Sequence, residues 1–167
     1  MSATKLKVRI YGDPCLRKKS VSVKGVGVSQ RRLIEAMIET MHEQKGVGLA
    51  APQVGINEQI FVADVGNGPI AFINPRIVKK AGSAVVEEGC LSIPGVTVKI
   101  KRPVNIKVRY LNENNQLVEG EYSELLARVI LHEIDHLHGK LIVDYASLSE
   151  KKKMKEQLNA LEEQQEG

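Results

Sequence analysis

The chain has 167 residues, 43% of them hydrophobic, which suffices for one compact domain with its own core and gives no reason to expect a second. Its 24 Lys and Arg stand against 20 Asp and Glu, a net charge of +4, with denser basic clusters only at residues 99–102 and 151–153. Aromatics at 4% with no Trp leave few stacking platforms, so sequence-specific nucleic-acid reading has no support, and no apolar run nears the ~18–20 residues that span a bilayer.

Met1, Ser2, Ala3, Thr4 and Lys5 open the chain without a secretory apolar region, which points to a protein of the cytoplasm, bacterial in type, with an organellar origin left open. Val8, Arg9 and Ile10, followed by Gly12, Asp13 and Pro14, read as a short strand or extended arm ending in a turn. Between residues 29 and 44, Leu33, Ile34, Met37, Ile38 and Met41 recur at helical spacing behind Ser29 as a cap, predicting a first helix. Residues 46–55, rich in Gly, Ala and Pro, follow neither the helical nor the strand period and read as a shaped loop. Residues 60–65, 70–73, 96–100 and 104–110 are short β-branched runs bounded by Gly, Pro or Asn, and read as antiparallel strands. Residues 112–116 form a hairpin tip before a further strand at 117–122.

Ser123 and Glu124 then mark a helix start, Leu125, Leu126, Val129, Ile130 and Leu137 supply its apolar positions, and Gly139 suits the residue past its end. Ser147 and Glu150 make a capping box ahead of Met154, Leu158 and Leu161, predicting a charged C-terminal helix over about 147–164 that frays at Glu162 and Glu163. The whole reads as a single α+β domain over residues 1–167. Short antiparallel or mixed sheets surround a central metal-binding helix, with one helix toward each terminus.

That central helix carries His132, Glu133, Ile134, Asp135 and His136. At about 3.6 residues per turn, the two His lie on one face and can reach one ion, while Glu133 sits on the flank, able to contact an activated water without being a ligand. Such residues also occur on ordinary solvated helices. Here the helix reads as largely buried, and imidazoles and a carboxylate among aliphatic residues are costly unless an ion satisfies them.

A catalytic site of this kind needs a third protein ligand. A third His six residues after His136 is excluded, because position 142 is Ile. A downstream Glu would have to come from the solvated terminal helix, and Asp144 lies in a different local context. The better candidate is upstream: Glu88, Gly89, Cys90, Leu91 and Ser92 place a cysteine at the end of a strand-like run, and thiolate is a strong ligand for zinc or iron(II). Taken alone, such a cysteine is more often a buried free thiol, which is the reading for Cys15. Two cysteines do not make a disulfide framework.

Three ordered segments resemble the motifs of the peptide deformylase family: Gly46, Val47, Gly48, Leu49, Ala50, Ala51, Pro52 and Gln53; Glu88 to Ser92 as above; and His132 to Leu137 with Gly139. The resemblance runs from the Asp13 and Pro14 turn to about Tyr145. Leu131 departs from it, since many relatives have Gln before the first metal His, and the lysine-rich tail is variable. The resemblance implies hydrolysis of the N-formyl group from the initiator methionine of new proteins. It implies Cys90, His132 and His136 as ligands, Glu133 as proton carrier, and the Gln53 amide and Leu91 N–H as oxyanion donors. Iron(II) is the favoured ion, with zinc, nickel or cobalt also suited to the ligand set.

Gly46, Gly48 and Gly89 then let backbone approach the peptide as in strand addition, and Leu125 and Val129, on the face of the metal His, wall the methionine pocket. Arg128 either lines the pocket mouth with its stem or reaches solvent. Glu88 and Asp135, with Arg102, orient the His or the backbone, whereas His42 and His138 are solvent-facing or structural. The expected partners are the formyl-methionyl nascent chain and, through the C-terminal helix, the ribosome, with the protein monomeric and off the membrane. The rival readings are another metal-dependent amidase or peptidase, separable by a substrate panel, and a catalytically silent metal-binding module, for which neither Glu133 nor Gln53 would be needed.

Overall fold

The computed structural model describes residues 5–166; residues 1–4, most of the N-terminal stretch read above for a leader, and residue 167 lie outside it. Residues 5–10 form an extended arm and no strand, tied by single backbone bonds from Arg9 N to Gln53 O at 2.6 Å and from Tyr11 N to Ser92 O at 2.8 Å. A 3-10 turn follows at Pro14–Arg17, then helix α1, Val28–Glu43. Its cap is Gly27, not Ser29, with the Gln30 side chain accepting from the Gly27 N–H at 2.9 Å.

The segment read as a shaped loop contains strand β1, Gly48–Ala50, and a 3-10 turn, Ala51–Val54. β1 is buried at all three residues, so no alternation advertises it. Next come β2, Ile60–Ala63, and β3, Ile70–Ala81, the latter running far past the expected end at residue 73. Asn74 and Pro75 look like a turn, but the register shifts by a bulge between Ile73 and Arg76, Asn74 takes a left-handed φ of 51°, and the strand resumes.

β4, Ala84–Glu88, is the strand-like run ahead of Cys90. β5, Val98–Arg102, begins two residues later than expected, and β6, Asn105–Leu111, and β7, Leu117–Ser123, form the anticipated hairpin. Helix α2, Glu124–Leu137, and helix α3, Leu148–Glu166, complete the chain, separated by a 3-10 turn at Ile142–Tyr145. The mixed α and β content matches the expected α+β class.

All strand pairings are antiparallel: five strands in the order β1-β2-β3-β6-β7, and β4 with β5 as a separate ribbon. α2 packs its apolar face on the large sheet, where Ile130, Ile134 and Leu137 meet Phe61, Phe72 and Val108. Leu131 joins that same cluster, so the residue that departs from the family motif faces the sheet. Gly139 ends the helix with a φ of 74°, and a Cβ there would stand 2.5 Å from Arg17 O, so both backbone and space demand glycine.

Before α3, Ser147 N donates to Glu150 Oε1 at 3.2 Å and Glu150 N to Ser147 Oγ at 3.1 Å, the expected reciprocal cap. Met154 and Leu161 dock with Leu158 onto Leu16, Ile93, Val98 and Ile142. The helix runs to Glu166, two residues past the expected end at about 164. Among the described residues, no helix is long and apolar enough to cross a membrane.

Candidate active site

α2 and the segment after β4 meet at one point. There the ligating atoms of Cys90, His132 and His136 lie within 4.8 Å of one another, the one such His, Cys and carboxylate group among the described residues. Helical spacing brings the two imidazoles together edge to face, with centroids 5.0 Å apart and planes inclined by 62°, and Cys90 Sγ lies 3.4 Å from His136 Nε2. His132 donates from Nδ1 to Glu88 Oε1 at 3.0 Å, which leaves Nε2 for the cluster.

Burial holds the pKa of His136 well below the usual imidazole range, keeping the neutral form that ligates. Burial also opposes charge on His132, but the Glu133 carboxylate, Cys90 and Glu88 outweigh it and raise its pKa. Of the four buried side-chain atoms without a hydrogen-bond partner among the described residues, two belong to this site, His136 Nδ1 and Glu133 Oε1. A thiol and two imidazoles converging beside an unpartnered carboxylate oxygen of Glu133 fit a divalent ion.

Glu133 is 3% exposed, and burial, against the charges of His132 and Arg102, pushes its pKa up to about 7. Its Oε2 lies 3.9 Å from His132 Nε2, near the ligands yet outside their group. Across from it stands β1. A Cβ on Gly48 would sit 2.6 Å from Glu133 Oε2 and 2.8 Å from Val129 Cγ1, so glycine here is required by the chain's own Glu133 and Val129 side chains. At Gly46 a Cβ would meet Leu91 Cδ1 at 2.8 Å, whereas at Gly89 the nearest atoms are 3.9 Å away.

The 3-10 turn after β1 delivers Gln53, fully buried. Its Oε1 accepts from Ala50 N at 2.9 Å, and its Nε2 donates to Ser92 Oγ at 3.0 Å and faces Cys90 Sγ at 3.7 Å. Ser92 went unread in the sequence as a working residue, although it ends the cysteine motif.

Glu88 is the hub behind the Cys90, His132 and His136 group. Arg102 grips both its oxygens, Nε to Oε2 at 2.6 Å and Nη2 to Oε1 at 3.0 Å, and Arg128 Nη1 adds a bond to Oε2 at 2.6 Å. Burial alone would raise the Glu88 pKa, but His132 and Arg102 hold it down at about 2. Arg102 reaches Asp135 at 3.0 Å, and Tyr145 donates to the same Asp135 oxygen at 2.6 Å. The expected grouping of Glu88, Asp135 and Arg102 is present. Of the two readings for Arg128, lining the pocket holds and reaching solvent does not: it borders the cavity over the site, is only 8% exposed, and its guanidinium points into this network.

The cavity over the site measures about 420 Å³ and is lined in part by Gly46, Gly48, Gln53, Leu91, Leu125 and Val129. Val129 is buried in its wall, while Leu125, 55% exposed, stands at the rim. The remaining candidates lie elsewhere. Asp144, weighed as a ligand, is held by Arg17 at 2.7 Å, and His42 pairs with Asp64 at 2.8 Å. His138 bonds to Ile134 O at 3.1 Å. Cys15 faces Pro52 O at 3.3 Å, and burial pushes its thiol up to about 11.

The family model described as polypeptide deformylase matches residues 5–152. The chain belongs to the polypeptide deformylase family. A peptide deformylase from Clostridium botulinum is 52% identical over 137 residues, covering 82% of this chain and 93% of the relative. Among solved deformylases, that of Thermotoga maritima superposes with a TM-score of 0.84 at 49% identity, over 86% of this chain and 99% of its own. A plant peptide deformylase reaches 0.92 at 34% identity, over 98% and 92%. The resemblance read from the three motifs is thus matched over most of the chain.

Proposed function

We propose that the protein is a metal-dependent peptide deformylase, hydrolysing the formyl group from the N-terminal formyl-methionine of newly made proteins and releasing formate. The carrying observation is the convergence of Cys90, His132 and His136 on one point, with Glu133 beside them. A divalent ion held by these three supplies the Lewis acidity that makes hydroxide accessible near neutral pH. Glu133 takes the proton of the attacking water and returns it to the leaving amine as the carbon–nitrogen bond breaks, consistent with a carboxylate raised to about 7. The Gln53 amide, pinned by Ala50 N and Ser92 Oγ, and the Leu91 N–H donate to the oxygen that gains charge on attack.

Gly46, Gly48 and Gly89 present backbone to the peptide as in strand addition, and Leu125 and Val129 wall the space for the methionine side chain. Iron(II) is the native ion in this reading; zinc, nickel or cobalt fit the same ligands, and metal analysis of anaerobically prepared protein separates them. The protein acts as a cytoplasmic monomer built as one catalytic domain. Its terminal helix, with exposed Lys151, Lys152, Lys153 and Lys155, gives the ribosome a basic face. Salt-dependent co-sedimentation of full-length and tail-truncated protein tests that contact, and equal binding by both refutes it.

A peptide panel tests the activity itself. Metal-loaded protein is expected to release formate from formyl-Met peptides and to leave acetyl-Met and free Met peptides intact. Equal turnover of acetyl-Met peptides would make it a general amidase, and no formate from any peptide would refute the reading.

A further inference from the structure

We propose that Arg128 is a specificity-determining residue, a fixed partition that ends the pocket for the first side chain and closes off a second cavity beyond it. The inference rests on the deformylase reading above. Arg128 projects from α2 one turn before His132, and three acceptors hold its guanidinium. Nη1 donates to Glu88 Oε2 at 2.6 Å and to Ile100 O at 3.0 Å, and Nη2 donates to Ala84 O at 2.8 Å. Ala84 and Glu88 belong to β4 and Ile100 to β5, so the side chain spans the gap between helix and ribbon. A planar fork bonded on both strands, with one bond to a carboxylate, does not swing aside as a free arginine would.

The two spaces on either side of it differ. One is the cavity of about 420 Å³ over the metal ligands; the other, about 200 Å³, is lined by Ala84, Pro103, Val104 and Glu124. Val86, Leu125 and Arg128 border both. Val86 and Leu125 are exposed at 46% and 55%, so the buried part of the shared wall is Arg128. The second cavity is mostly apolar and suits an unbranched continuation of the methionine side chain. With the partition removed, the two spaces join, and a longer thioether becomes a substrate.

Arg128 can be removed without freeing Glu88, because Arg102 by itself contacts both carboxylate oxygens. His132 keeps its partner and the ligand group keeps its shape. A wall residue and a support for the metal site are therefore separable by experiment.

The test compares kcat/KM for a formyl-Met peptide and for the same peptide with S-butylhomocysteine in place of Met, on metal-loaded wild type, Arg128→Ala, and Arg128→Ala with Val104→Phe. Wild type is expected to favour Met. Arg128→Ala is expected to keep stoichiometric metal and shift the ratio toward the longer residue by about tenfold or more, the ceiling being roughly 60-fold for three further buried methylenes. Val104→Phe, which fills the second cavity, should reverse that shift, and as a single change should leave turnover of the formyl-Met peptide unaltered. An unchanged ratio in folded, metal-loaded Arg128→Ala overturns the proposal, as does loss of metal, which would make Arg128 a support for Glu88. Should Arg128→Ala not fold, Arg128→Met is measured instead, with a smaller shift in the same direction expected and an unchanged ratio again overturning the proposal. Failure of wild type to release formate from the formyl-Met peptide would instead refute the deformylase reading.

Discussion

Replacing Gly48 with Ala places one methyl group between β1 and the Glu133 carboxylate, the proposed base. The new Cβ would lie 2.6 Å from Glu133 Oε2, 2.8 Å from Val129 Cγ1 and 3.0 Å from Glu133 Cδ, against the 3.4 Å at which ordinary contact begins. Gly48 has no left-handed φ, so the cost is steric and not conformational. β1 is buried between its neighbours, which leaves the carboxylate and the valine to give way. Overpacking of this kind costs about 1–3 kcal/mol, and for a chain of this size each kcal/mol lowers Tm by about 2–4 °C. The effect on turnover is larger, since misplacing a reacting group by about 1 Å can cost about 10²-fold. No ligand atom of Cys90, His132 or His136 is among the close contacts, so metal content should stay stoichiometric. Formate release, metal analysis and a thermal melt on one preparation distinguish these effects. Wild-type kcat in folded, metal-loaded Gly48→Ala would refute the reasoning, because a base displaced by the methyl could not then be the group that moves the proton.

Other perturbations separate the remaining roles. Glu133→Ala should keep metal and fold while losing about 10²- to 10⁴-fold in kcat, and loss of the ion instead would make Glu133 a ligand. Gln53→Ala should lower kcat by about 10²- to 10³-fold with little change in metal content, and an effect confined to KM would remove Gln53 from the oxyanion. Glu88, held down at about 2, contributes stability that is fully present above the ordinary carboxylate pKa and is lost as pH falls through about 2. Denaturant unfolding between pH 6 and about 2 should therefore show a slope that flattens in Glu88→Gln, and identical slopes would show that the ion pairs with Arg102 and Arg128 do not set the acid limit.

What the sequence made legible depended on how far apart the interacting residues stand along the chain. His132 and His136 declare themselves because one helix turn joins them, and the Ser147 and Glu150 cap is legible for the same local reason. Cys90 is 46 residues from His136, and only its motif singled it out. The anchoring of Glu88 was less visible, because it draws on β4, β5 and α2, and no spacing rule connects Arg102 and Arg128 to it. β1 hid in a glycine-rich segment since burial on both faces erases alternation, and β3 hid behind an Asn and Pro pair whose turn signal a bulge overrides. Gly48 was read for the peptide outside, whereas the contact that excludes a side chain there comes from Glu133 inside.

The most direct test of metal-dependent deformylation is a titration of anaerobically prepared apoprotein with iron(II), following bound metal and formate release from a formyl-Met peptide together. Turnover should be absent without the ion and rise in proportion to occupancy up to one ion per chain, with Cys90→Ala binding no stoichiometric ion and gaining no activity. Full turnover by the apoprotein, or full occupancy and activity in Cys90→Ala, would contradict the assignment of Cys90, His132 and His136 as the metal site.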